Sequence, residues 1–280
     1  MGLGPPALRF LCRLVREHPL DGPVLTLGRQ ALVSSPRAID RLLHAEGITP
    51  AAPITTATDV AFFRALGAPR VEALDVSAYE GAELVHDLNQ PIPQAWAGQY
   101  ALVVDGGTLE HVLDVRQALR NVAALVAVGG RVVHFSPSSN YADHGFYSFS
   151  PTLFHDHYAA NGWDDVRVWV AEHDRTSPTA PWRLYAVPRG HATAKTSRHR
   201  LAAVAVATKT PTSSGDRIPV QAIYAAPPAS VGRPRPLRRL WWWVAGSPVG
   251  PAARWLLHPL VPAVDRTRPP WGLGRPVRLR

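Results

Sequence analysis

Acidic or small residues follow four short apolar runs of this sequence, at positions where strands of an α/β sheet would end beside a ligand. A continuous apolar run of about four to eight residues suits a strand buried on both faces of a parallel sheet. Open sheets of this kind bind ligands at the carboxyl ends of their strands, so the residues after such runs should meet at one rim. They are Gly28 after VLTL, Asp75 after VEAL, Asp87 shortly after AELV, and Asp105 after YALVV.

Two histidines near this rim could take up the proton of a reacting hydroxyl. His111 follows Glu110 on the loop after Asp105, and His144 lies in the segment SPSSNYADHGFYSFSP, after the next predicted strand. Imidazole is the side chain best suited to general-base catalysis near neutral pH. We predict His111 as the first candidate base and His144 as the second. The alternative for both is packing at the rim without a catalytic role.

The elements that position these residues are clearest over residues 100–137. Residues 100–104 predict a strand, and apolar residues at helical spacing over 115–125 predict a helix. Gly129-Gly130 is predicted to stop that helix, and residues 131–136 supply the next strand. The segment is therefore one βαβ unit.

Similar patterns predict the remaining elements. Strands are expected over residues 23–27, 71–74, 82–85, 166–170 and 201–208, and helices over 5–18, 36–45, 59–66 and 151–161. Ser35 and Ser150 are predicted helix caps, each followed by a proline in the first turn. Residues 31–58 are either a lid over the ligand or a plain surface elaboration.

Residues 100–137 resemble the class I methyltransferases that use S-adenosylmethionine. The fourth strand of that family ends in an acid followed by a loop of the form LEHV, and a Gly-Gly turn precedes its fifth strand. The resemblance extends weakly over residues 21–210 and implies an α/β, Rossmann-like fold. Its sheet would have seven mostly parallel strands with helices on both faces, and its cofactor would be S-adenosylmethionine.

The resemblance also assigns roles to the residues after the first strand. The family usually has an acid at the end of that strand and then Gly-x-Gly, whose glycines let the backbone approach the methionine part of the cofactor. Here Gly28 is kept, Thr26 stands where the acid is usual, and Arg29 and Gln30 replace the following residues. Gln30 is expected to hydrogen-bond the amino-acid part of the cofactor.

The acids after the later strands would hold the nucleoside. The resemblance implies that Asp75 accepts hydrogen bonds from the ribose hydroxyls and that Asp87 meets the adenine amino group, with Leu88 against the ring and Asp105 completing the set. The alternative for Asp75 is an exposed loop aspartate or a helix cap. The alternative for Asp87 is an Asx-turn with Asn89.

Charge and cysteine content limit the function classes. The net charge of +9 comes from a mildly acidic part, −5 over residues 1–187, and a basic part, +14 over residues 188–280. The single cysteine, Cys12, allows no internal disulfide and favours a cytoplasmic setting. Metal binding is not predicted, because His155 and His157 lie two residues apart and would face different sides of a helix.

We place the methyltransferase-like domain at residues 1–226 and a basic extension rich in proline and tryptophan at 227–280. Arginine beside Trp241-Trp242-Trp243 suits peripheral contact with an anionic membrane surface. The alternative is that these tryptophans cover the sheet or a second subunit. A nucleic-acid partner is not expected, since no recognisable module accompanies them.

The sequence as a whole predicts an S-adenosylmethionine-dependent methyltransferase that methylates a hydroxyl of a glycan or a secondary metabolite. The competing hypothesis is a non-catalytic binding or scaffold protein with the same fold, favoured by the altered loop VLTLGRQ. A nicotinamide-dependent oxidoreductase is disfavoured, because no G-x-G-x-x-G follows the first strand.

Overall fold

A computed structural model of the chain describes residues 2–174, 177, 179–190, 197–225 and 277–278. The predicted basic extension therefore lies outside the described residues except for residues 277–278. The described part has six α-helices, none of which has the length and apolar character needed to cross a membrane. The helices are α1 Pro5–Glu17, α2 Pro36–Ala45, α3 Asp59–Ala65, α4 Val115–Leu125, α5 Pro151–Ala160 and α6 Ala222–Ala225.

Eleven strands are described, nine of them in one sheet. They are β1 Gly2–Leu3, β2 Val24–Leu27, β3 Ala31–Leu32, β4 Val71–Asp75, β5 Leu84–Val85, β6 Tyr100–Asp105, β7 Val126–Ser139, β8 Asp164–His173, β9 Arg183–Ala186, β10 Arg200–Thr208 and β11 Val277–Arg278.

The large sheet has the order β11-β9-β8-β10-β7-β6-β2-β4-β5. Strands β5, β4, β2, β6 and β7 are parallel, and β10 inserts antiparallel between β7 and β8. Without the two edge strands β9 and β11, this is a seven-stranded sheet with one reversed strand. The predicted α/β class with a mostly parallel sheet is confirmed.

Alternate residues of the central strands face opposite layers, as the pleat of a strand requires. Val24 belongs to an apolar cluster with α1, α2 and α3, whereas Leu25 belongs to a second cluster with α4 and α5. Helices therefore cover both faces of the sheet. The carboxyl ends of β2, β4, β6 and β7 are left to form a common rim.

The Gly-Gly pair has a different role from the predicted one. Helix α4 already ends at Leu125, and Gly129 and Gly130 lie within β7. They form an irregularity in the pairing with β6, where Tyr100 pairs with Val126 but Leu102 pairs with Arg131. A Cβ on Gly130 would come within 2.8 Å of the Tyr100 carbonyl oxygen, so only glycine fits. The prediction that this pair stops the helix was wrong.

Residues 31–58 pack closely against the N-terminal helix. Helix α2 buries Ile39 and Leu43 in the cluster that contains α1, and the Arg13 Nε donates to Glu46 Oε2 over 2.9 Å. The predicted cap of α2 is confirmed, because Ser35 Oγ accepts the Ala38 N–H. The segment is thus part of the folded domain, and a lid function stays a prediction.

Candidate functional site

The turn after β2 brings together residues from several strand ends. Gly28 has φ +70°, which strongly favours glycine, and its N–H donates to the Leu74 carbonyl over 2.7 Å. A Cβ placed on Gly28 would lie 3.3 Å from Thr108 Oγ1, 3.6 Å from Asp75 Oδ2 and 3.7 Å from Gln30 Nε2. The predicted residues 28, 30 and 75 therefore surround one point at the rim.

A buried acid that the sequence analysis missed holds this turn in place. Asp59, at the start of α3, is fully buried, and its Oδ2 accepts hydrogen bonds from the Gln30 backbone N–H (3.0 Å) and from Thr26 Oγ1 (3.2 Å). Its Oδ1 accepts from Arg29 Nη1 over 3.2 Å. A carboxylate from a different element thus meets Thr26 and the turn that follows it.

Gln30 fills the space beside this turn. Its side chain is buried, and its Nε2 donates to the carbonyls of Leu27 (2.9 Å) and Gly28 (3.2 Å). Its Oε1 is buried without a hydrogen-bond partner among the described residues. A Cβ on Gly106 would lie only 2.4 Å from that oxygen, so the glycine gives the amide its room. The orphaned oxygen needs a donor, because a buried polar atom without one is costly.

Asp75 ends β4 with one oxygen available. Its Oδ1 accepts the Ser77 N–H over 3.3 Å, and its backbone carbonyl accepts the His86 N–H over 2.8 Å. Within the described residues its Oδ2, which faces the Gly28 turn, accepts no hydrogen bond. A carboxylate with a free oxygen at this edge can accept hydrogen bonds from a ligand hydroxyl.

Asp87 adopts the alternative that the sequence left open. Its Oδ1 accepts both the Asn89 backbone N–H (2.9 Å) and the Asn89 amide (2.7 Å), which is an Asx-turn. These hydrogen bonds lower the pKa of the exposed Asp87 carboxyl. The neighbouring Leu88 is buried in the apolar cluster beneath α4. Contacts of Asp87 and Leu88 with adenine stay a prediction.

Asp105 is an internal support of the rim. It is fully buried, its Oδ1 accepts the backbone N–H groups of residues 107–109, and its Oδ2 lies 2.9 Å from His134 Nδ1. His134 Nε2 in turn lies 2.6 Å from the hydroxyl of Tyr158. The carboxylate is thus fully engaged inside the protein. A direct contact with the cofactor stays a prediction.

The two candidate bases lie together above a buried glutamate. His144 Nε2 is 3.6 Å and His111 Nε2 is 4.0 Å from Glu110 Oε1, and the two rings are 5.3 Å apart. Burial, and then the nearby charge of Asp105, raises the pKa of Glu110 to about 8. Burial, and then His144, lowers the pKa of His111. The structure brings both predicted histidines together, and it adds Glu110, which the sequence analysis had not assigned a role.

Comparisons with known proteins bear on the fold. No protein-family model matches the sequence, and no curated protein matches it. The similar solved structures are mainly S-adenosylmethionine-dependent methyltransferases at low identity. The methyltransferase domain (CMeT) of the citrinin polyketide synthase is 10% identical with a TM-score of 0.42, covering 73% of this chain and 52% of that one.

Two further structures have the same fold. A SAM-dependent methyltransferase from Archaeoglobus fulgidus is 11% identical with a TM-score of 0.39, over 72% of this chain and 94% of its own. The methyltransferase CalH, in complex with SAH, is 14% identical with a TM-score of 0.38, over 73% of this chain and 55% of its own. The chain thus spans about half the length of the citrinin synthase domain and of CalH. These similarities concern the fold alone, so the function has to be argued from the site.

Proposed function

We propose that this chain binds S-adenosylmethionine and transfers its methyl group to a hydroxyl oxygen of a small-molecule or glycan acceptor. The observation that carries the proposal is the free Oδ2 of Asp75 beside the Gly28 turn, at the carboxyl ends of two neighbouring parallel strands. A ligand hydroxyl held by that oxygen lies where open α/β sheets bind nucleotides.

The residues of the turn fit the cofactor in a second respect. The buried Oε1 of Gln30 has no donor within the described part of the chain, and the α-amino group of a bound amino acid would supply one. Asp75 Oδ2 lies beside Gly28 and Gln30 Oε1 lies beside Gly106, so one elongated ligand along this rim could meet both oxygens. The cofactor would supply an electrophilic methyl group, and the chain supplies position.

We infer that the acceptor binds between the loops that follow β6 and β7. His111 and His144 are partly exposed there, with side chains 49% and 35% accessible, so an acceptor hydroxyl could reach them. The two rings would orient the acceptor oxygen toward the cofactor. We keep His111 and His144 as the residues that activate the acceptor.

Replacing Asp75 by alanine is expected to weaken binding of S-adenosylmethionine and of S-adenosylhomocysteine at least about tenfold, since hydrogen bonds to a charged acceptor are lost. Isothermal titration calorimetry with each ligand measures the change. The matched control is Asp216→Ala, which removes a carboxylate that is 76% exposed and paired with Arg120. No binding by the native chain, or equal affinity of Asp75→Ala, would contradict the proposal.

A non-catalytic binding or scaffold function is the second candidate, and one observation favours it. The Gln30 side chain occupies the space that the family keeps open with a second glycine, and a Cβ on Gly106 would lie 2.4 Å from its Oε1. If Gln30 is a plug, the cofactor cannot enter.

Substituting Gln30 by glycine separates the two candidates. If Gln30 binds the cofactor, Gln30→Gly is expected to weaken S-adenosylhomocysteine binding several-fold, because the Oε1 acceptor is lost. If Gln30 is a plug, the native chain shows no binding and Gln30→Gly gains it. The measurement is the same titration, with circular dichroism of the variant confirming that it is folded.

A further inference from the structure

Glu110, His111 and His144 form a compact group, here called the Glu-His-His cluster, with one ligand atom of each residue within 4.8 Å of the others. Glu110 is fully buried, and neither of its carboxylate oxygens has a hydrogen-bond partner among the described residues. The imidazole nitrogens approach Oε1 to 3.6 and 4.0 Å, which is too long for a hydrogen bond. The Glu110 carboxylate therefore faces the two histidines but accepts no hydrogen bond from them.

The fold holds the two loops of the cluster against each other. The Phe146 N–H donates to the Glu110 carbonyl over 2.7 Å, and the Tyr147 N–H approaches the same oxygen to 3.3 Å. Gly145 has φ +76°, and a Cβ on it would lie 2.7 Å from that carbonyl oxygen. The loop that carries His144 is thus fixed on the backbone of Glu110 by a glycine that lets the two chains touch.

We propose that the Glu-His-His cluster binds a divalent transition-metal cation, of which Zn²⁺ is the representative. Two imidazoles and one carboxylate are ligands that suit this class of ion. Ligand atoms around a tetrahedral zinc are about 3.4 Å apart, given metal–ligand distances of roughly 2.0–2.2 Å. The distances from Glu110 Oε1 to the two imidazoles exceed that value by only a few tenths of an ångström. We expect rotation of the two partly exposed rings to close the site on the ion.

A cation explains the buried carboxylate better than the protein groups around it do. The described residues offer Glu110 no donor, so both of its carboxylate oxygens stay available to a cation that takes the place of the carboxyl proton. A positive charge beside the Glu110 carboxylate would have to come from the two histidines or from an added ion.

Three protein ligands leave a coordination position for water or a substrate oxygen, as in catalytic rather than structural zinc sites. A hydroxyl bound there would lose its proton more readily, so the cation would replace the two imidazoles as the activating group. This consequence rests on the proposed methyl transfer, whereas binding of the cation does not. The two histidines would then be ligands, and their prediction as bases would be superseded.

The test uses the full-length chain, freed of any affinity tag and stripped with chelator, and titrates it with Co²⁺ as a spectroscopic probe. We expect one Co²⁺ per chain with visible absorption bands of a four- or five-coordinate ion, and displacement of those bands by Zn²⁺. Glu110→Gln, His111→Ala and His144→Ala should each weaken Co²⁺ binding at least about tenfold, the smallest effect expected for loss of a ligand. His44→Ala is the matched control, because that imidazole is 60% exposed on α2.

Folding of the variants is checked by circular dichroism and thermal unfolding without metal. Glu110→Gln keeps the shape of the side chain, and His144→Ala alters a residue at the surface, so at least one ligand variant remains interpretable. Zn²⁺ should raise the unfolding temperature of the native chain and of His44→Ala but of none of the ligand variants. Unchanged Co²⁺ binding in any ligand variant that is folded, or no binding by the native chain, overturns the proposal. Neither result affects the cofactor titration.

Discussion

Replacing Asp59 by alanine is expected to lower the free energy of unfolding by about 3–5 kcal/mol, the range for removing one partner of a buried ion pair. The carboxylate is fully buried, and it accepts hydrogen bonds from Arg29 and Val60 on one oxygen. The other oxygen accepts from Thr26 and the Gln30 backbone. Alanine would leave these donors without an acceptor, and the loop after β2 would lose its shape, so cofactor binding should disappear as well.

Urea unfolding measures the loss of stability in Asp59→Ala, and comparison with Arg29→Ala assigns it. Arg29 is one of four donors to Asp59, so its removal alone should cost less than removal of Asp59. The double variant Arg29→Ala/Asp59→Ala should lose less stability than the sum of the losses in the two single variants, because the residues share one interaction. The control Asp40→Ala, at a carboxylate that is 49% exposed, should change stability by less than about 0.5 kcal/mol. A loss below about 1 kcal/mol in Asp59→Ala would contradict this account of the turn.

Asp59 also shows what the sequence could not predict. The helix over residues 59–65 follows from local signals, and the structure has it as α3. The partners of its first residue, however, lie 29–33 positions earlier, on a strand and its turn. Helical periodicity and capping patterns describe neighbours in sequence, so they cannot show that the first residue of one helix holds the turn after a distant strand.

Elements defined by local chemistry were predicted well. Both serine caps are present, with Ser150 Oγ accepting the Thr152 N–H, and the strands at β2, β4, β6 and β10 lie within a residue or two of their predicted bounds. Strand β9, next to β11 near one end of the sheet, was not predicted, because only one of its four residues is buried and it has no long apolar run. The position of Gly129-Gly130 was misread for a similar reason, since a bulge depends on the partner strand.

Some contacts of the candidate site could be predicted from the sequence, and others could not. That Gly28 and Asp75 lie side by side could be predicted, because neighbouring parallel strands end at one edge. The meeting of Glu110 with His144 depends on how the loop after β7 folds back, and the backbone contacts of Phe146 and Tyr147 with Glu110 hold that loop in place. The proposed cation site therefore did not follow from the sequence, where the histidine pair considered for metal binding lay on α5.

Asp105→Ala is expected to lower the free energy of unfolding by about 4 kcal/mol, whereas Asp105→Asn should cost about 1 kcal/mol. The carboxylate holds residues 107–109 through their backbone N–H groups at 2.8–3.4 Å and His134 through its Nδ1. Burial, and then the charge of Asp105, raises the pKa of Tyr158 well above its ordinary value, so its hydroxyl keeps its proton and can donate to His134 Nε2. Alanine would leave each of these buried donors without an acceptor.

Asparagine tests whether the hydrogen bonds or the charge matters. Its carbonyl oxygen can still accept the N–H groups of residues 107–109, and its amide can donate to His134 if the proton of the imidazole moves to Nε2. Urea unfolding of both variants, with His134→Ala and Asp105→Ala/His134→Ala completing a cycle, gives the coupling between the two side chains. Because the carboxylate orders the loop that carries Glu110 and His111, Asp105→Ala should also lose the Co²⁺ bands, while Asp105→Asn should retain them. Equal destabilisation by alanine and asparagine would show that the buried charge, and not the set of accepted hydrogen bonds, supports the rim.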